Sequence, residues 1–442
     1  MIWKIHETSC KIPRSHPLYG KKTYVPRMVE SSARAVAAVL HSVGIDAEVT
    51  PPSNCRTLDL GGKFSSGDEC YPLKVTLGDF LQIVERPGLD PRKTAFFMPT
   101  GHGPCRFGQY APYLRSVLKR LGYPDVTVLS PSAEKGYADF GEASALFIRS
   151  AWRAILGGDI LLKLLLKTRP YEVEPGSADA LYEYSVQVLC GVLEVSYPSF
   201  HQQMDALCDC LVHTRDAFRA LPVKFDPSRP FIGIVGEIFC RLNEFTNNEF
   251  VRRLEAAGAE VWMNDIAEWI WYADDNQNCR LRIYGRRYSL EALGAGVRDY
   301  IQRKDERTML SHFRNDFLGY EEPHGIRTVL DGAEPYLPAF GANGEMVVNV
   351  GKAVYFAHKG LDGVIDVSPF TCMNGIVCEA VYPRVSRDHA GIPIRNFYFD
   401  GTQSDLDRDL VIFLELAKAY QHRKRWPRTL PHPAEAVTKT SS

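Results

Sequence analysis

Asp362-Gly363-Val364-Ile365-Asp366-Val367, followed after Ser368 by Pro369-Phe370-Thr371-Cys372-Met373-Asn374-Gly375, decides how this chain is read. The first six residues read as a buried strand, and a helical stretch ending near Arg387 follows the loop. A cysteine at the carboxyl end of a strand, opening a helix, sits where open α/β sheets place their ligands. The partial positive charge of the helix N-terminus is expected to favour a thiolate there. Two other loops have the same character, Asp68-Glu69-Cys70-Tyr71-Pro72 and Gly103-Pro104-Cys105-Arg106-Phe107-Gly108. Cys70, Cys105 and Cys372 are therefore the candidates to converge on one site.

Outward from these loops the chain reads as two α/β halves. The first opens with a short strand at Thr23–Met28, an Ala- and Val-rich helix at Val29–Val43 stopped by Gly44, and a strand at Ala47–Val49. That is a βαβ start, which implies a parallel sheet under helices. A polar loop, Pro51 to Glu69, delivers Cys70; Ala95–Pro99 is a buried-type strand delivering Cys105; Val126–Leu129 is the next strand. Long helical stretches at Ala143–Leu156, Ile160–Leu166, Ala178–Leu193 and Pro198–Phe218 follow, holding Cys190, Cys208 and Cys210, which read as packing cysteines. The second half begins at Phe231–Val235 and continues through helix Asn247–Ala257, Gly258 and strand Ala259–Trp262. Its helix–glycine–strand run, Arg253 to Val261, echoes Ala38 to Val49, a weak repeat implying two halves on one plan. A helical region at Leu290–Phe317, a looser segment, helix Gly344–His358, strand Pro393–Phe399 and helix Leu406–Gln421 complete it. The resulting division is an arm at 1–22, an α/β domain at 23–140, a helical insert at 141–228, a second α/β domain at 229–422 and a tail at 423–442.

The totals exclude several classes. With 442 residues, 45% hydrophobic and 24% charged, the chain is long enough for two cores and is composed like a globular protein. A formal net charge of -1 gives no basic field for nucleic acid. The most apolar run, Ile155–Leu166, is short for a bilayer and is broken by Gly157, Gly158, Asp159 and Lys163, so no membrane span is expected. The opening Met1-Ile2-Trp3-Lys4-Ile5-His6-Glu7 lacks a basic-then-apolar secretion pattern, and cytoplasm is the expected compartment. Eleven scattered cysteines do not suit a disulfide framework.

The segments GDECYPLKVTLGDF (67–80), GPCRFGQY (103–110), GEIFCRLNEFTNNEFVRRLEAAGAEV (236–261), KGLDGVIDVSPFTCMNG (359–375) and FYFDGTQSDLDRDLVIFLELAKAY (397–420) give the chain a family resemblance. Taken in order, they resemble the 2-hydroxyacyl-CoA dehydratase superfamily, most closely the branch related to acyl-CoA dehydratases and their activases. The resemblance implies two Rossmann-like parallel-sheet domains with helical additions and a [4Fe-4S] cluster in the interdomain cleft. It implies Cys70, Cys105 and Cys372 as the ligands; a larger double-cubane cluster would add Cys10 and Cys55, while Cys240 and Cys378 merely lie near the motif loops. It implies as partner an ATP-hydrolysing activase carrying its own iron–sulfur cluster, and a related dehydratase-type subunit. Three thiolates on a four-iron cluster leave one iron open, which in this family is thought to take a thioester carbonyl before a ketyl radical expels the neighbouring hydroxyl. Dehydration or a related reduction is one expected function, and a redox relay carrying the same cluster is the alternative.

Plainer roles stand beside these. His102 is a proton donor or a loop cap; Glu237 and Asn243 face a cleft or cap helix 247–257; Asp400 and Gln403 suit N-cap and turn duty. Arg106 and the glycine N–H groups of the cysteine loops are donors for cluster sulfur. Lys352 and Lys359 are phosphate contacts or ordinary surface lysines. Gly101, Gly103 and Gly108 have the wrong spacing for a dinucleotide fingerprint.

Overall fold

The computed structural model describes residues 11–67, 69–101, 105–131, 138–341, 344–402 and 405–429. The chain divides into two compact units, Met1–Gly158 with Val186–Cys210 and Leu242–Thr246, and Asp159–Ser185 with Leu211–Arg241 and Asn247–Ser442. The helices of residues 141–228 are thus shared between the two units.

In the first unit β1 (Lys22–Val25), α1 (Glu30–Ser42), β2 (Ala47–Val49), α2 (Cys55–Lys63), α3 (Tyr71–Val84), β3 (Thr94–Phe97), α4 (Tyr110–Arg120) and β4 (Thr127–Leu129) follow in order. The strands form a parallel sheet ordered β2-β1-β3-β4. The segment read as the loop Pro51 to Glu69 contains α2. Asn54 accepts from Arg56 N and Thr57 N while Thr57 Oγ1 takes the N–H of Asn54, so the helix starts on a capping box. α2 lies on α3 almost backbone to backbone: a Cβ on Gly78 would stand 1.9 Å from Thr57 O, and one on Gly61 2.0 Å from Lys74 O. Phe80 of α3 packs on Phe96 of β3 at 4.4 Å between rings, with Leu114 and Val117 of α4 in the same core.

Asp79 of α3 is buried in that helix pair, accepting from Thr57 Oγ1 at 2.8 Å and Ser53 Oγ at 2.9 Å. Burial pushes its carboxyl up to about 6. The folded state therefore holds this proton more tightly than the unfolded chain does, and its stability contribution is present below pH 4 and lost as pH rises through 6. Asp79→Asn is expected to flatten the stability–pH curve over that interval by about 3 kcal/mol, measured by urea unfolding at several pH values.

Three long helices come next, α5 (Ser144–Thr168), α6 (Ser177–Glu194) and α7 (Phe200–Ala220). The second unit then runs β5 (Phe231–Gly236), α8 (Ile238–Leu242), α9 (Phe250–Ala256), β6 (Glu260–Met263), α10 (Ile266–Ile283), α11 (Leu290–Ser311), α12 (Ile326–Ala333), α13 (Glu345–His358), β7 (Gly363–Pro369), α14 (Met373–Asp388), β8 (Ile394–Phe399) and α15 (Leu406–Gln421). Every residue of β3, β5 and β7 is buried, as parallel strands covered on both faces must be. The sheet is parallel and ordered β6-β5-β7-β8, so its second, first, third and fourth strands lie in the same sequence as those of the first unit. The echo between residues 38–49 and 253–261 marks equivalent turns. Gly44 (φ +86°) and Gly258 (φ +97°) both end a helix in the left-handed region and both lead straight into the second strand.

Among the described residues no helix is long and apolar enough to cross a membrane.

Candidate functional site

The three cysteines share one local setting. Cys70 (φ -67°, ψ 149°) precedes α3, Cys105 (φ -66°, ψ 133°) precedes a 3₁₀ turn, Arg106–Gln109, that runs into α4, and Cys372 (φ -67°, ψ 121°) precedes α14. Each occupies an N-cap; the Cys70 and Cys105 sulfurs make no capping hydrogen bond, whereas the Cys372 sulfur faces the N–H groups of Asn374 and Gly375. A Ser, Thr, Asp or Asn there would stabilise its helix by about 1 kcal/mol, so the fold places cysteine where helix stability alone would choose another residue.

In the first unit the Cys70 and Cys105 elements meet. Cys70 Sγ lies 2.6 Å from Tyr110 Oη, at the first residue of α4. Phe107 packs edge-on against Tyr110 at 5.3 Å, and Thr100 Oγ1 donates to Gly108 O at 3.4 Å, folding the loop back on the end of β3. Cys70 is half-buried and Cys105 exposed.

In the second unit β5 and β7 flank the point where strand order reverses, the usual ligand crevice of open α/β sheets. Glu237 leaves β5 there, donating its N–H to Val367 O at 2.9 Å and capping α8 through Phe239 N (3.1 Å) and Cys240 N (2.7 Å). β7 leads through Thr371, in the left-handed region at φ +64°, to Cys372. Gly344, before α13, sits on Asn374 of α14, whose Oδ1 would be 2.2 Å from a Cβ on that glycine. The N-termini of α13 and α14 are thus neighbours, as those of α3 and α4 are, and Glu345 stands in the plan close to where Cys70 does. Among the described residues Glu345 Oε2 and Asn374 Oδ1 have no hydrogen-bond partner. Phe370, Met373 and Ile376 around Cys372 are exposed apolar side chains.

The expected thiolate at Cys372 is corrected by this setting. Burial pushes the thiol far up, the charges of Glu237 and Glu345 push the same way, and the N–H groups of Gly375 and Asn374 only partly oppose them. Without a cation beside it, this sulfur keeps its proton.

Deeper in the same unit lies a layer of buried charge. Lys163 binds Asp265 (3.0 Å) and Glu322 (2.6 Å); Lys352, fully buried, binds Glu268 (2.7 Å) and Glu322; Trp262 Nε1 donates to Glu322 at 2.9 Å. Lys352 is therefore neither a phosphate contact nor a surface lysine, and Lys359 pairs with Glu321 at 2.9 Å. A lone lysine inside the apolar run Met346-Val347-Val348-Asn349-Val350-Gly351-Lys352-Ala353-Val354 was the sequence signal for this. Tyr110, Glu345 and Asn374 carried no such signal.

Of the remaining candidates, Asn243 accepts from Thr246 N at 3.0 Å and Asp400 from Thr402 N at 2.8 Å, both as turn caps. Cys55 is exposed, while Cys208, Cys210, Cys240 and Cys378 are buried. Cys10, Asp68, His102, Gly103, Pro104 and Gln403 lie outside the described residues. Cys70 and Cys105 belong to the first unit and Cys372 to the second. Among the described residues, no group of three or more His, Cys, Asp or Glu side chains stands ready to hold a metal ion. The chain matches no family model and no curated protein.

Proposed function

We propose that this is an iron–sulfur protein of the 2-hydroxyacyl-CoA dehydratase type, with Cys70, Cys105 and Cys372 as ligands of a [4Fe-4S] or larger cluster. It takes a low-potential electron from an ATP-hydrolysing activase and uses it in dehydration or reduction of a small substrate. The observation that carries this reading is the repeated N-cap cysteine, which recurs after the third strand of both sheets, with Cys70 against Tyr110 at the start of the helix that the Cys105 turn leads into. The donors are soft thiols, the ligand class that iron–sulfur clusters and zinc select. When bound, the cluster would supply a one-electron centre held by these thiolates.

The protein's own groups prepare for it. Tyr110 is placed to donate to the Cys70 sulfur, which stabilises added electron density. The N–H groups of Asn374 and Gly375 do the same at Cys372, and the acids around that thiol make metal binding release a proton.

Anaerobic purification, iron and sulfide quantification and electron paramagnetic resonance test the reading on the wild type and on Cys70→Ala, Cys105→Ala and Cys372→Ala. Each substitution is expected to remove most of the iron. Intact colour and iron content in all three would overturn it. Turnover of a 2-hydroxyacyl-CoA with activase, ATP and reductant identifies the enzyme; electron transfer without acyl-CoA binding identifies a relay.

A further inference from the structure

The outer side of α11 carries a second pattern that the cysteine site does not use. Leu290, Leu293, Val297, Tyr300, Lys304, Arg307 and Ser311 recur at alternating spacings of three and four, the seam of a coiled coil. In a folded unit such a seam should be covered. Here Leu290 is 85%, Leu293 66%, Val297 37% and Tyr300 67% exposed, with Tyr288 at 93% just upstream. The helix is anchored instead by its opposite side, where Ala295, Gln302, Asp305 and Met309 are buried.

Ile283 and Tyr284, just before this helix, are exposed apolar side chains as well, and apolar side chains left in solvent in such number along one stretch mark an interaction site rather than scattered surface residues. Beyond Tyr300 the seam turns cationic. A groove of about 470 Å³ is lined by Tyr300, Arg303, Lys304, Arg307, Thr308 and Ser311. Arg303 is bound to Asp299 at 3.0 Å, whereas Lys304 and Arg307 have no ion-pair partner among the described residues.

This polarity selects the occupant. A parallel second copy would set Lys304 and Arg307 against themselves, and an antiparallel one would set them against Leu293 and Leu290. Both pairings are penalised. A lipid surface prefers cations flanking an apolar strip, whereas here they replace it along the same line. We propose that α11 docks a helix of another protein whose seam is apolar at one end and carries carboxylates at the other.

The test uses the full chain and synthetic helical peptides with leucine along two heptads of the seam and either glutamate or lysine along the third. Each is made in both orientations and its affinity is read by fluorescence anisotropy. The glutamate-ended peptide is expected to bind about tenfold more tightly than the lysine-ended one, an advantage that shrinks as salt rises. Lys304→Glu with Arg307→Glu should reverse that order, and Leu293→Asn with Val297→Asn should weaken both peptides, with unchanged circular dichroism and melting temperature throughout. Equal affinity for the two peptides, or binding of neither, overturns the proposal. So does self-association in sedimentation, or adsorption to phosphatidylglycerol vesicles, that Leu293→Asn with Val297→Asn abolishes, because the occupant is then a second copy or a membrane.

Discussion

Lys352→Met will destabilise the second unit by about 3–5 kcal/mol at pH 7, the cost of stranding a buried charge whose partner has been removed. Lys352 is fully buried with its ammonium on Glu268 and Glu322. Glu322 keeps Lys163 and the Trp262 N–H after the substitution, but Glu268 loses its only salt-bridge partner among the described residues. Burial already pushes the Glu268 carboxyl up, while Glu322, between two lysines, is held down at about 2. The acid dependence follows. In the wild type the Glu322 contribution is present above its unfolded value near 4.5 and fades as pH falls toward 2. In Lys352→Met the stranded Glu268 has a raised folded-state value, so the variant gains stability as pH falls from 7 toward 4.5. The gap to wild type should therefore narrow on acidification, and Lys352→Met with Glu268→Gln should recover most of the loss. Urea midpoints at pH 7 and pH 5 decide the matter: a single substitution costing under 1 kcal/mol at neutral pH would show that this charge layer does not hold the unit together.

Why the sequence could announce the sheets but not this layer is a matter of range. Parallel strands covered on both faces write continuous apolar runs, so β5 and β7 are visible in the sequence where they lie, and the helix–glycine–strand echo implies two halves on one plan, although the strand order they share is not written in it. Glycine misled twice. Gly157 and Gly158 suggested a break between two helices, yet α5 is continuous, because those glycines admit Leu189 and Ser32 to its surface, with Cβ contacts of 3.0 Å and 2.6 Å. Gly61 and Gly62 made α2 look like loop, yet Gly61 lets α2 touch the α3 backbone. α8 leaves no local sequence signal, because its start depends on a carboxylate cap by Glu237. The lysine–acid layer joins residues from α5, α10, α13 and the segment before α12, a meeting that no local pattern encodes. At the candidate site the same division holds. The N-cap placement of each cysteine was legible from strand–loop–helix order, whereas the burial and acids that keep Cys372 protonated come from other elements.

Gly236→Ala should cost about 3 kcal/mol or more, against about 1 kcal/mol for Gly258→Ala. Both glycines have positive φ, +120° and +97°, so both substitutions strain the backbone. Only their surroundings differ. A Cβ on Gly258 meets nothing within 4 Å, whereas one on Gly236 would stand 2.2 Å from Val367 O and 2.5 Å from Val367 N. No rotamer relieves that collision, because the added atom is Cβ itself and the obstacle is the backbone of a central strand. The end of β5 must then lift from β7, breaking the bond from Glu237 N to Val367 O and moving the Glu237 carboxyl relative to the Cys372 loop. Side-by-side urea unfolding of wild type, Gly236→Ala and Gly258→Ala measures the difference. Equal costs for the two variants would mean that the strand crossing gives way, and that the switch point of this sheet is not the rigid platform from which Glu237 and Cys372 are presented.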